Sequence, residues 1–284
     1  MINALVSLVG SGFQWNIYSD FQDMLQYSFM QHAFEAGTIV AIVAGLIGYF
    51  VVIRRLSFAA HALSHIGFAG AAGAVLFGFN PLLGLFMFTS SGGVAIAFLG
   101  RKARTQDVQI GIVLSFMLGL GVLFLNLYKG YATEAYSLLF GQILGISTSN
   151  VIITLVAGII ICLLVLVLYR RLIFTALDEA VAEAKGISML SMSLALLLLI
   201  AFATSIAVQV IGVLLIFALL VTPAAIAQRI ARTPGQGIVI SVCVALASTW
   251  LGLFISYYLP YPVSFFITSI VFLLYLVIRV AQAI

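Results

Sequence analysis

Residues 58–78 read FAAHALSHIGFAGAAGAVLFG, a stretch of membrane-spanning length that carries His61 and His65, two of the three histidines in the chain. Some twenty apolar residues in a helix cross the hydrocarbon of a bilayer. Ionisable side chains inside such a span are costly, and they face a partner helix or a wet cavity. Four positions apart on a helix, the two imidazoles share one face on adjacent turns and can bite one metal ion. Ala60, Ser64, Gly67, Gly70, Ala71 and Ala74 surround them with small side chains. Gly70, Ala74 and Gly78 keep the small-xxx-small spacing that lets helices approach closely. If two copies of the helix faced each other across a two-fold axis, four imidazoles would converge, which suits tetrahedral Zn²⁺. Carboxylate and water ligands suit Mn²⁺ better. The plain alternative is two histidines that hydrogen-bond a neighbouring helix; their pairing on one face favours a metal or proton role. His32, beside Gln31 and Glu35, reads instead as an interfacial surface residue.

The rest of the 284 residues fits a membrane setting. Hydrophobic residues make up 64% and charged residues 7%, and mean hydropathy is +1.28, far from soluble domains. The expected class is an all-α, polytopic membrane protein. Cys162 and Cys243 both lie in apolar runs and read as small hydrophobes rather than a disulfide. The net charge of +4 comes from basic residues scattered over short loops, so nucleic acid is not an expected partner.

Outward from the histidine stretch, apolar runs at residues 36–53, 82–99, 108–127, 151–168, 189–208, 211–228, 238–258 and 263–276 predict further spans. Residues 1–34 read as an interfacial lead-in without a cleavable signal. Residues 128–150 are too polar to cross and too apolar for a free loop, which predicts a half-buried or re-entrant piece. The runs at 189–208 and 211–228 are either a tight hairpin or one broken helix, and Pro223 predicts a kink in the second. Alternating the spans gathers Arg54, Arg55, Arg101, Lys102, Arg104, Arg170, Arg171, Lys185, Arg229, Arg232 and Arg279 on one side and leaves Lys129 opposite. The positive-inside rule makes the crowded side cytoplasmic, with the C-terminus inside and the N-terminus outside, in about nine crossings or eight.

The longest hydrophilic interval, residues 170–188, contains LDEAVAEAKGIS. Asp178, Glu179 and Glu183 near its front and Lys185 near its end match a short helix to its own dipole. It is either a solvated connector or a helix that a cytosolic partner grips. The chain has no GxxxxGK[ST], HExxH or GxSxG, so it reads as a non-enzyme. If ATP powers transport, another polypeptide hydrolyses it.

The segments FMQHAFEAG, VVIRRLSFAAHALSHIGFAG, LLFGQILGIS, LDEAVAEAKGI and GVLLIFALLVTPAAIA, in that order and spacing, resemble the membrane permeases of bacterial ATP-binding-cassette importers for zinc, manganese and iron. The resemblance implies a vitamin-B12-importer-like (type II) permease in the cytoplasmic membrane. It also implies a second permease copy as homodimer partner, separate cytoplasmic ATPase subunits and an extracytoplasmic metal-binding protein. No permanently bound cofactor is implied, only a transported divalent ion. By the same resemblance Asp178, Glu179, Ala182 and Gly186 belong to a coupling helix seated in the ATPase, and Thr222 and Pro223, with Gly70 and Ala74, hinge or pack the bundle. The family's second-helix motif usually reads G-D-A-L-S-H, with Asp and His at the metal. Here Ala60, His61 and His65 stand at its Gly, Asp and His, and Ala69 stands where proline is common. Exchanging a carboxylate for an imidazole moves donor preference from Mn²⁺ towards Zn²⁺ and makes binding depend on a neutral ring. Zinc is therefore the expected cargo, with manganese or iron as alternatives. An ion-coupled secondary transporter is the rival class, although only one span carries titratable groups of the kind it needs.

Overall fold

A computed structural model describes residues 22–99, 106–128 and 141–282. Beyond the helical residues 22–25, the described α-helices are α1 (Ser28–Ile53), α2 (Ser57–Leu76), α3 (Pro81–Leu99), α4 (Gln106–Leu127), α5 (Thr148–Leu177), α6 (Glu179–Ala184), α7 (Met189–Ile230), α8 (Pro234–Tyr258) and α9 (Val263–Ala281). Eight of these are long and apolar enough to span a membrane.

The loops are built from capping residues. Asn80 Oδ1 accepts from the Leu82 amide at 2.9 Å, with Pro81 opening α3. Ser147, Asp178, Ser188 and Thr233 cap α5, α6, α7 and α8 in the same way. Each side-chain oxygen takes up one of the amides that a helix start leaves unpaired.

α7 is 42 residues long, about 63 Å at 1.5 Å per residue, roughly twice a bilayer's hydrocarbon. It does not run straight. Gly212 has φ 79° and ψ 167°, a conformation open essentially to glycine alone. The Arg54 guanidinium, just past the end of α1, bonds Ser193, while Gly48, on the same helix, lies against the Leu220 carbonyl. Residues on both sides of Gly212 thus meet the same end of α1, so the chain turns back there. The two runs form one helix that folds back at Gly212, beside the expected division between them, and Pro223, where a kink is expected, stays within regular helix. A proline costs one helical hydrogen bond, whereas Gly212 changes the direction of the backbone.

α1, α2 and α7 form the centre: 67%, 78% and 67% of their apolar windows are buried, against 11% for α4. Lipid tails are as apolar as leucine, so close packing and hydrogen bonds hold such helices together. Gly48 admits the backbone of α7, and Gly45 admits that of α8 at Val242. Ser241 Oγ donates to the Gly45 carbonyl at 2.8 Å. Gly70 and Ala74 pack on Gly84 of α3, so the small face of α2 at these positions is occupied within the chain. The buried hydroxyls of Thr89 and Ser205 bond at 2.7 Å and tie α3 to α7.

Several boundaries differ from those expected. α1 begins at Ser28, with Met30, Ala33 and Phe34 buried, so residues 28–34 belong to the first span and not to a lead-in. Residues 1–21 of that lead-in lie outside the described residues. Arg170 and Arg171 continue α5, which runs to Leu177; long basic side chains extend such an end without breaking the helix. Of the polar segment 128–150, residues 129–140 lie outside the described residues. Its remainder holds a 3₁₀ turn (Ile143–Gly145) with Ile143 buried, and Gly141 rests on the backbone of Ile211 and Gly212 at the fold-back.

Candidate functional site

His61 and His65 lie on α2, with ring centroids 4.6 Å apart and planes at 82°. Phe217, on the second limb of α7, closes one side with its ring 4.7 Å from that of His61. Ser64, between the two histidines, is spent on the Ala60 carbonyl at 3.1 Å. The Nδ1 atoms of both histidines are buried and have no hydrogen-bond partner. Buried polar atoms are nearly always paired, and one left alone costs free energy. Two such atoms stand on neighbouring turns of one helix face. Among the described residues no group of three or more His, Cys, Asp or Glu could hold a metal, so one chain offers two nitrogen donors and leaves the other positions open. A pair of that kind holds an ion more weakly than a full tetrahedral set.

The other sequence-predicted residues fall in three places. His32 is at the opposite end of the bundle, half-buried, with Nε2 3.2 Å from Thr148 Oγ1. Thr222 is half-buried and Pro223 buried on the second limb of α7, the limb that carries Phe217. Asp178, Ala182 and Gly186 build the α6 turn. Asp178 is exposed and caps α6 by accepting from the Val181 amide at 3.0 Å. Ala182 is fully buried. Gly186, at φ 75°, ends the helix, and the Ile187 amide then reaches the Ala182 carbonyl at 3.0 Å. Glu179 is the first residue of α6. Lys185 folds back with Nζ 4.1 Å from the Phe174 ring centroid, leaving an outer face of Val181, Glu183 and Ala184 exposed.

Two contributors gave little signal in the sequence. Phe217 is one aromatic among many in apolar runs. Arg54 reads there only as a topology marker, yet its Nη1 donates to the Thr175 carbonyl at 3.1 Å and its Nη2 to Ser193 Oγ at 2.9 Å. At the far end from Arg54, a cavity of about 170 Å³ is lined by Asn80, Gln142, Asn150, Gln209 and Leu85. Leu85 also lies against Gly67, so it stands between this polar cavity and the turn after His65.

A multi-pass helical membrane protein with a half-buried histidine pair on an inner helix is the class that this arrangement defines. The model of the ABC 3 transport family matches residues 26–282, and the chain belongs to that family. The manganese transport system membrane protein MntC of Listeria monocytogenes is 32% identical over 237 residues, 83% of this chain and 84% of that protein. The manganese import system permease protein ScaB of Streptococcus parasanguinis is 31% identical, over 90% of this chain and 92% of its own. Among solved structures, PsaBC from Streptococcus pneumoniae in complex with Fab superposes with a TM-score of 0.83 at 29% identity, covering 92% of this chain and 95% of that one. The fold is thus that of type II ABC permeases.

Proposed function

We propose that this chain is the membrane-spanning subunit of an ATP-driven importer that passes a divalent transition-metal ion into the cell past His61 and His65. The observation that carries the reading is the pair of buried, unpartnered Nδ1 atoms on α2, in a chain of the ABC 3 transport family. A conduit needs a site strong enough to strip water from an ion and weak enough to release it, and two imidazoles without a carboxylate meet both demands. The ring of Phe217 restricts access to His61.

Manganese is the first cargo to test, because the relatives that the chain resembles over most of its length are named for it. Zinc is the second reading, and it rests on His61: where the family's motif usually has a carboxylate, this chain supplies nitrogen, which Zn²⁺ prefers. A second permease copy would complete the coordination set across a two-fold axis, and an extracytoplasmic metal-binding protein would deliver the ion. ATPase subunits on the cytoplasmic side would engage the exposed face of α6.

The test is uptake of Mn²⁺ and Zn²⁺ into vesicles that hold the chain with its ATPase. ATP-dependent accumulation of either ion supports the importer. Accumulation that persists when the ATPase cannot hydrolyse would replace it with an ion-coupled carrier.

A further inference from the structure

The α6 turn and the imidazole pair are on different parts of the chain, and one side chain joins them. Thr175, whose carbonyl accepts from Arg54 Nη1, lies in the last turn of α5, directly before α6. Ser193, whose hydroxyl meets Arg54 Nη2, lies near the start of α7, directly after α6. A single guanidinium therefore holds both flanks of α6. Arg54 itself stands in the turn that opens α2, seven positions before His61.

That turn is well fixed. Arg55 takes φ 55°, and the amides of Arg55 and Leu56 return to the carbonyls of Val52 and Val51 at 3.1 and 2.8 Å. This is a helix-ending loop that glycine usually completes, so a side chain in the left-handed region marks a tightly determined backbone. The Thr175 end is equally held. Its side chain is 1% exposed, with Oγ1 donating to the carbonyls of Arg171 and Leu172 at 3.0 and 3.1 Å. The carbonyl to which Arg54 donates is one of the last in α5, where a helix end carries partial negative charge.

We propose that Arg54 is a positioning residue of the transport cycle, whose forked guanidinium carries the displacement of α6 to the helix bearing His61 and His65. The proposal rests on the importer reading above. A planar fork with fixed donors transmits the position of two acceptors at once, whereas a lysine ammonium holds one point and swivels. Movement of α6 against its partner then reaches the start of α2 through Thr175, Ser193 and Arg54.

The experiment compares wild type, Arg54→Lys, Arg54→Gln and Ser193→Ala, each assembled with its ATPase in vesicles, and reads ATP hydrolysed per Mn²⁺ or Zn²⁺ imported. Both Arg54 variants are expected to lose uptake about tenfold, the scale of one charge-assisted hydrogen bond, while hydrolysis continues, so the ratio rises by about that factor. Ser193→Ala is expected to give a smaller rise. A ratio that stays at the wild-type value overturns the proposal, whether both rates are unaltered or both fall together with the amount of assembled complex. Wild type that hydrolyses ATP and moves no divalent ion defeats the importer reading instead, which separates the two failures.

Discussion

At the scale of single residues, the proposed choice of ion turns on His61. Its ring sits 4.6 Å from that of His65, and replacing it by a carboxylate would set a hard anionic oxygen beside one nitrogen. His61→Asp is expected to raise the uptake of Mn²⁺ relative to Zn²⁺ by about tenfold, read by competition between the two ions in one vesicle preparation. Unchanged selectivity would assign the choice of ion to the delivering protein. That the two rings meet on one face was legible in the sequence because helical spacing is local. Phe217 was not, since nothing in its neighbourhood separates a ring at the site from rings that meet lipid.

At the scale of elements, two glycines and one cap hold the geometry. Gly212 occupies backbone angles that a side chain resists, so Gly212→Ala is expected to destabilise the fold by about 1–3 kcal/mol and to lower the midpoint of thermal unfolding in detergent. Gly48→Ala would press a methyl into the Leu220 carbonyl and force α1 from α7, a backbone clash of about 1–3 kcal/mol, visible in the same assay. Asp178→Ala removes the α6 cap, worth about 1 kcal/mol; the expected outcome is weaker association with the ATPase in pull-down, with the spans unchanged. Span positions could be read from the apolar runs because that chemistry is local, whereas the caps at Ser147 and Thr233 are seen only in the structure. The division between the runs at 189–208 and 211–228 placed the break beside Gly212, but not its form: a turn back shows only when residues on both sides meet α1.

At the scale of the molecule, the ends of the bundle are chemically distinct. One gathers Arg54, the α6 turn, and Arg229, whose Nη1 donates to Gln282 at 3.2 Å. The other holds the amide-lined cavity around Asn80 and Gln209. The charge bias predicts that a cysteine placed at Gln282 reacts with impermeant thiol reagents only from the cytoplasmic side, and one at Asn80 only from outside. Charge asymmetry made this arrangement readable in the sequence, whereas the link between α6 and α2 through Arg54 depends on tertiary contacts that no local pattern encodes.

The central claim is that a divalent ion crosses by way of the α2 histidines. Its most direct test is ATP-driven uptake of Mn²⁺ and Zn²⁺ by wild type and by the His61→Ala, His65→Ala double variant, at equal amounts of assembled complex. A loss of about tenfold or more in the variant is the expected result. Full uptake of both ions by the variant would contradict the account and leave the pair as a packing feature of α2.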